Sequence, residues 1–249
     1  MKVLIVYAHS QPTSFNAAML KTAVATLEAE GHEVKVSDLY AMGFNPVASA
    51  ADFKERRFEG HLQYDREQKY AVEQRTFSDD IAAEIDKVLW CDLLLLQFPL
   101  WWYSVPAIMK GWFDRVFVNG LMYGQLGRFN QGGMKGRKAM VSMTTGCFPG
   151  MVDEGGVMGH LDAVLWQLQY GTLAYVGFDV LEPFVAWSTR YQDDAKRHEY
   201  IDAFADRLRH LDQVPVKYVH PVEDFGKDWK LMPGIEPKTL GHQPFKRKA

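Results

Sequence analysis

Cysteine is almost absent from this chain: Cys91 and Cys147 are the only two in 249 residues. Two cysteines so far apart exclude a disulfide framework and a metal-knuckle spacing, and they point to a reducing compartment, the cytoplasm. An excess of charge of one sign is missing too. With 28 basic against 31 acidic residues the formal net charge is -3, which gives no field to draw the protein to nucleic acid. Long apolar runs are also lacking. The stretch from Phe98 to Met109 is closed off by Lys110 and Asp114, well short of the roughly 18 to 20 residues a membrane helix needs. No membrane insertion is expected. The opening run Met1 to Ala8 is too short for a signal peptide and reads as a cytoplasmic strand. Neither Gly-x-x-x-x-Gly-Lys nor Gly-x-Gly-x-x-Gly follows it, which weakens a nucleoside triphosphatase and a dinucleotide fold alike.

What is present is enough apolar material, 47% of residues, for one large domain or two small ones. Apolar runs at Val3 to Ala8, Leu93 to Phe98, Ala139 to Met143 and Phe178 to Leu181 suit strands covered on both faces, with a weaker alternating run at Glu33 to Val36. Helical periodicity occupies Ser14 to Glu30, Ser78 to Val88, Val105 to Val116, His160 to Tyr175 and Asp193 to Leu211. Strand and helix thus alternate five times, which predicts an α/β, doubly wound parallel five-stranded sheet with helices on both faces. Five strands favour the flavodoxin-like order 2-1-3-4-5, whose ligand sits beyond the carboxyl ends of the strands. Two stretches exceed this plan. Pro46 to Thr76, rich in charge, and the proline-punctuated segment after Pro215 read as surface elaboration or disorder, or else as a dimer contact or a wall of the site. The end Lys246-Arg247-Lys248 reads as a solvated tail.

Three strand-end loops carry the chemistry. The first, His9 to Asn16, offers the hydroxyls of Ser10, Thr13 and Ser14, the Asn16 amide and the free N–H groups of a helix start, with no acidic residue to repel a phosphate; serine and threonine here also serve as ordinary caps. The second, Gln97 to Pro106, holds Trp101, Trp102 and Tyr103 between two prolines. Three large rings at the mouth of a parallel sheet want a planar conjugated partner, or an adjacent subunit, to stack on. The third, Thr144-Thr145-Gly146-Cys147, supplies uncharged donors and close backbone approach, suited to the polar edge of a flavin.

Several blocks then resemble one family. They are Ala8-His9-Ser10 with Thr13-Ser14-Phe15-Asn16; Ser37 to Met42 with Phe44-Asn45-Pro46; Gln97-Phe98-Pro99-Leu100; Val105 to Ile108; Lys110 to Phe113 with Arg115 to Phe117; Thr144-Thr145-Gly146; and Gly177-Phe178 with Val180 to Pro183. Together, over roughly residues 1 to 210, they resemble the flavin-dependent NAD(P)H:quinone oxidoreductases of the DT-diaphorase type. The resemblance implies residues 1–212 as a flavodoxin-like, flavin-binding catalytic domain and 213–249 as its irregular extension. It implies FAD as cofactor, with FMN the alternative, NADH or NADPH as donor, and a homodimer with a shared cleft. The activity it implies is two-electron, ping-pong reduction of a quinone or other aromatic acceptor.

Residue by residue, the resemblance places His9, Thr13, Ser14, Phe15 and Asn16 on the phosphates and ribityl chain, together with Gln63. Pro99, Leu100, Trp101, Trp102 and Tyr103 would line the ring, and Thr144, Thr145, Gly146 and Cys147 its polar edge. Arg197 falls on the adenine side, and Tyr123 reaches the cleft from the partner subunit. Trp102, Tyr103, Tyr123 and His160 are the residues expected to act on substrate. The family's mammalian members carry a tyrosine and a histidine in the glycine loop where this chain has Val152 and Met158, neither of which exchanges a proton. His160 stands nearby, as a substitute or as a helix-start residue, and Gln125 occupies the place of a second cleft tyrosine. The concentration of Trp101, Trp112, Phe113 and Phe117 around one helix suits a dimer interface or an ordinary core. Rival readings are an azo- or nitro-reductase and a flavodoxin-like regulatory or electron-transfer partner protein.

Overall fold

The computed structural model describes residues 1–58, 60–125 and 127–243. Along the chain run β1 (Lys2–Tyr7), α1 (Phe15–Ala29), β2 (Glu33–Asp38), α2 (Tyr64–Gln74), α3 (Asp79–Trp90), β3 (Leu93–Pro99), α4 (Ala107–Val116), β4 (Lys138–Thr145), α5 (Leu161–Leu168), β5 (Asp179–Val180), β6 (Phe184–Trp187) and α6 (Asp194–Arg209). All strand pairings are parallel, in the order β2-β1-β3-β4-β5, with β6 also on β4. This is the expected doubly wound, flavodoxin-like sheet.

Side-chain alternation along β1 explains why helices cover both faces. Val3 and Ile5 pack with Met19, Ala23 and Leu27 of α1 and with Phe204 and Leu208 of α6. Leu4 and Val6 face the other way, into a larger core with Ile81 and Ile85 of α3 and Trp112 of α4. Both faces of β1, β3 and β4 are thereby dry.

The fifth strand departs from the expected single run. Leu181 still donates to Ala139 O (2.8 Å), but Glu182 N turns away to Pro215 O (2.9 Å). Pro183 has no N–H to offer the ladder. The chain rejoins β4 only at Phe184, opposite Ser142, so one strand becomes two, β5 and β6. The helix expected over His160 to Tyr175 divides as well, into α5 and a π-helical turn, Gln169–Ala174.

Residues 46–76, read from the sequence as surface elaboration or disorder or else as a dimer contact or a wall of the site, hold regular structure. This segment contains α2, whose buried side chains are Glu67, Gln68 and Ala71, so that polar contacts stand beside the apolar ones of Phe53, Tyr64 and Ala71. Glu67, fully buried, accepts from Arg57 N (2.8 Å) and Phe58 N (2.9 Å). Asp52 takes Arg115 Nη2 (3.1 Å) and the Tyr64 hydroxyl (2.5 Å), while Arg115 also reaches Asn45 O (2.8 Å). With Glu67 and Gln68 between Tyr64 and Ala71 on the buried side, the apolar stripe of α2 is too broken for periodicity to reveal. Gly111 shows how close the packing is: a Cβ there would lie 2.1 Å from Pro46 O.

Trp112 is fully buried inside its own chain, 5.6 and 5.5 Å from Phe113 and Phe117 ring to ring. These three belong to the core of the chain, the second of the two readings their composition allows. After α6 the chain is irregular yet ordered through the described residues: Lys217 N donates to Val180 O (2.8 Å) and His220 is completely buried. The basic tail at 246–248 lies outside the described residues.

Candidate active site

The carboxyl ends of β1, β3 and β4 bring the three loops together. Ala8 N donates to Gln97 O (3.0 Å) and Leu100 N to Thr144 O (2.8 Å), which ties each loop to the next. The ring of His9 stands 6.4 Å from that of Trp101. Ser14 caps α1, accepting from Ala17 N at 3.2 Å. His9 Nδ1 accepts from Gln11 N (3.0 Å) and so holds the turn before it. Thr13 is exposed and Phe15 half-buried, whereas Asn16 lies inside, bonded to Thr144 and Gln97. Beside this loop a groove of about 800 Å3 opens between α1 and the end of β2, lined by His9, Ser10, Leu20 and Tyr40.

The second loop is strained. Trp101 N donates to Ser104 O (3.0 Å) and Ser104 N to Trp101 O (2.9 Å), closing a tight turn with Trp102 and Tyr103 at its tip. Both tip residues have positive φ, +50° and +60°. Turns of this shape ordinarily hold asparagine and glycine, and each bulky residue there costs about 1–3 kcal/mol. The turn persists because both flanks are fixed: Pro99 is buried at the end of β3, paired to Thr144, and Pro106 caps α4. Its effect is to turn the aromatic side chains outward, leaving Trp102 97% exposed.

In the third loop Thr145 Oγ1 accepts from Cys147 N (3.1 Å), and Cys147 O accepts from Ser188 Oγ (2.8 Å). The Cys147 sulfur lies 3.2 Å from that of Met158. Gly146 has nothing within 4 Å of where a Cβ would stand, so open space borders the loop. The N–H groups of Trp102, Tyr103 and Gly146 have no acceptor among the described residues. A flat aromatic face, free uncharged donors and the absence of any carboxylate from residues 9–16, 100–104 and 144–148 fit a planar, electron-rich ring carrying phosphates.

Arg197 joins this edge indirectly. Its Nε donates to Thr189 O (3.2 Å), in the turn whose Tyr191 stacks on Phe148 at 6.1 Å and 19°. Gln63 and Tyr123 stand elsewhere. Gln63 opens α2, the Tyr123 hydroxyl meets Gln68 (3.4 Å), and Gln125 accepts from Lys69 (2.9 Å). Among the described residues no hydrogen bond or ring contact joins them to the three loops. Burial, with Asp65 nearby, pushes the Tyr123 phenol above its ordinary range, so it stays protonated near neutrality. His160 caps α5, its Nδ1 accepting from Asp162 N (3.2 Å). Val152 is buried.

Sequence reasoning missed Phe148, Tyr191 and Ser188. Phe148, between Cys147 and Pro149 in a glycine-rich loop, was open to the argument applied to Trp102. Tyr191 and Ser188 carry no such mark, since Ser188 meets the site only through a hydroxyl that donates to Cys147 O from a left-handed backbone, φ +53°.

Comparison with known proteins agrees with this geometry. Residues 1–210 match the family described as having a flavodoxin-like fold. The chain is 40% identical over 219 residues to the Cavia porcellus protein named NAD(P)H dehydrogenase (quinone) 1, covering 87% of this chain and 80% of that one. It is 41% identical over 209 residues to the Pongo abelii ribosyldihydronicotinamide dehydrogenase (quinone), covering 84% and 90%. A Klebsiella pneumoniae crystal structure assigned as a quinone reductase superposes with a TM-score of 0.91 at 37% identity and 96% coverage of both chains. That match extends past α6 into the C-terminal segment. This chain belongs to the NAD(P)H:quinone oxidoreductase family of flavodoxin-like proteins.

Proposed function

We propose that the protein is an FAD-dependent NAD(P)H:quinone oxidoreductase working by a ping-pong cycle, with residues 1–212 as its catalytic domain. The observation that carries this is the strained turn exposing Trp102 and Tyr103 beside loops of uncharged donors. A bound flavin supplies the two-electron carrier chemistry that amino-acid side chains lack. His9, Thr13, Ser14, Phe15 and Asn16, with Arg197 and Gln63, would hold its phosphates and chain. Pro99, Leu100, Trp101, Trp102 and Tyr103 would line the ring, and Thr144, Thr145, Gly146 and Cys147 its polar edge.

The chain's own residues then do little acid–base work. Trp102 and Tyr103 offer a flat wall that orders planar reactants at near-attack spacing of about 3–3.5 Å. The free N–H groups of the second and third loops stand ready for negative charge on the ring's polar edge. Val152 and Met158 move no proton, and His160, whose Nδ1 accepts in its cap, keeps only its Nε2–H for exchange, so protons reach the acceptor from solvent or through that group. Tyr123, remote from these loops within one chain, acts on substrate only across a homodimer. Both cysteines are free, in keeping with a cytoplasmic location.

Mass analysis of the heat-released cofactor, with steady-state rates against NADH, NADPH and a soluble quinone, tests the reading. Released FAD and parallel double-reciprocal lines are expected; FMN would correct the cofactor. Converging lines would overturn the ping-pong order, and the absence of any flavin the whole reading.

A further inference from the structure

Beneath the three loops a row of side-chain hydrogen bonds joins Asn16 and Thr144, already placed at the flavin, to Gln97 and Ser142, which the proposed function leaves without a role. Ser142 Oγ donates to Gln97 Oε1 (2.7 Å), Gln97 Nε2 to Asn16 Oδ1 (2.8 Å) and Asn16 Nδ2 to Thr144 Oγ1 (2.7 Å). The four residues come from β3, β4 and the first turn of α1, and none is more than 5% exposed. At that depth every donor and acceptor needs a partner, so the row must run consistently in one direction.

Gln97 decides which. A primary amide has two N–H protons and one carbonyl oxygen, and flipping it exchanges them. Met19 Sδ lies 3.8 Å from Gln97 Nε2. Sulfur accepts weakly and a thioether donates nothing, so it suits the N–H and repels the oxygen. With nitrogen toward Met19 and Asn16, Gln97 Oε1 takes the Ser142 proton. Asn16 must then present its carbonyl to Gln97 and its N–H to Thr144. Thr144 Oγ1 thus receives a proton from below, and its own hydroxyl proton has no acceptor among the described residues. Thr144 is the penultimate residue of β4, two positions before the open space at Gly146.

The geometry assigns Gln97, Asn16 and Ser142 as positioning residues that hold the Thr144 hydroxyl as a proton donor toward an acceptor atom of the bound ring. The assignment rests on the proposed flavin function. A fixed donor is worth more where negative charge develops, so the row favours the reduced ring over the oxidised one.

The test measures, on the purified holoprotein, the midpoint potential of the flavin, the dissociation constant of its oxidised form and the urea midpoint. Thr144→Val is expected to weaken binding of reduced relative to oxidised flavin about tenfold, a fall of about 30 mV for a two-electron couple. Thr144→Ser restores the potential. Gln97→Met lowers it in the same direction, and the double variant Gln97→Met with Thr144→Val falls no further than Thr144→Val alone, because both act through one proton. Asn16→Leu, which removes the donor without adding charge, carries the same expectation if Gln97→Met proves too unstable to purify. A Gln97→Met or Asn16→Leu protein that loses stability while its potential stays at the wild-type value overturns the assignment, as do additive shifts in the double variant. Wild-type protein that binds no flavin overturns the proposed function and the assignment with it.

Discussion

The α2 flank and the turn after β3 break the ordinary rule of burial in opposite directions. Around α2 the chain buries charge: Asp52, Glu67 and Arg115 are all nearly inaccessible. At residues 101–104 it exposes three aromatic rings and strains its backbone to do so. The buried charges are answered inside the molecule, since Arg115 reaches Asp52, Asp80 and Asn45 O, and their work is to fix a segment in place. The exposed rings are answered by nothing comparable among the described residues. His9 touches only one of them, at a tilted 54°. Polar groups satisfied within the chain mark architecture, and apolar groups left outside at some cost mark a ligand.

The largest effect that would sharpen this contrast is at Arg115. Arg115→Leu leaves Asp52 buried and unpaired, and urea denaturation is expected to show a loss of about 3–5 kcal/mol. A neutral result would mean that α2 is held by something other than its charges. Next comes Trp102→Ala. With the ring 97% exposed, unfolding free energy should move by less than about 0.5 kcal/mol, while quinone turnover falls about tenfold. Full turnover with full flavin content would remove Trp102 from the site. Tyr103→Gly takes the side chain off a φ of +60° and is expected to raise stability by about 1 kcal/mol while lowering activity; a destabilised variant would show that the turn is not strained. The smallest effect is chemical. Burial pushes the Cys91 thiol up to about 12, so at pH 8 only about one thiol in ten thousand is ionised. Since the folded-state value is raised, the reactive thiolate appears only well above pH 8. Alkylation of the native protein at that pH should label Cys147 alone, with both cysteines labelled in urea.

The fold was legible where burial is apolar. Leu93 to Phe98 and Val3 to Ala8 read as strands dry on both faces, and four such runs with one weaker alternating run, interleaved with helices, leave few topologies. Helix α2 was illegible because Glu67 and Gln68, two of its three buried side chains, look like surface residues until Arg57 and Asn119 are brought to them. The break between β5 and β6 was written in Pro183, but its consequence depends on Pro215 standing ready to accept from Glu182. In the site, the aromatic loop announced itself by composition, whereas its positive φ angles did not, since no Asn-Gly marks the turn. Gln97 was hidden for the opposite reason: one polar residue in an apolar strand shows its purpose only when Asn16 and Ser142 surround it.

The most direct test of the central claim, that these loops hold a flavin between two electron-transfer partners, is the visible spectrum of the purified protein without oxygen, recorded before and after NADH and then a soluble quinone. The account predicts a flavin band that bleaches with NADH and returns with quinone. A colourless protein that takes up neither FAD nor FMN, or a yellow one that NADH leaves unbleached, would contradict it.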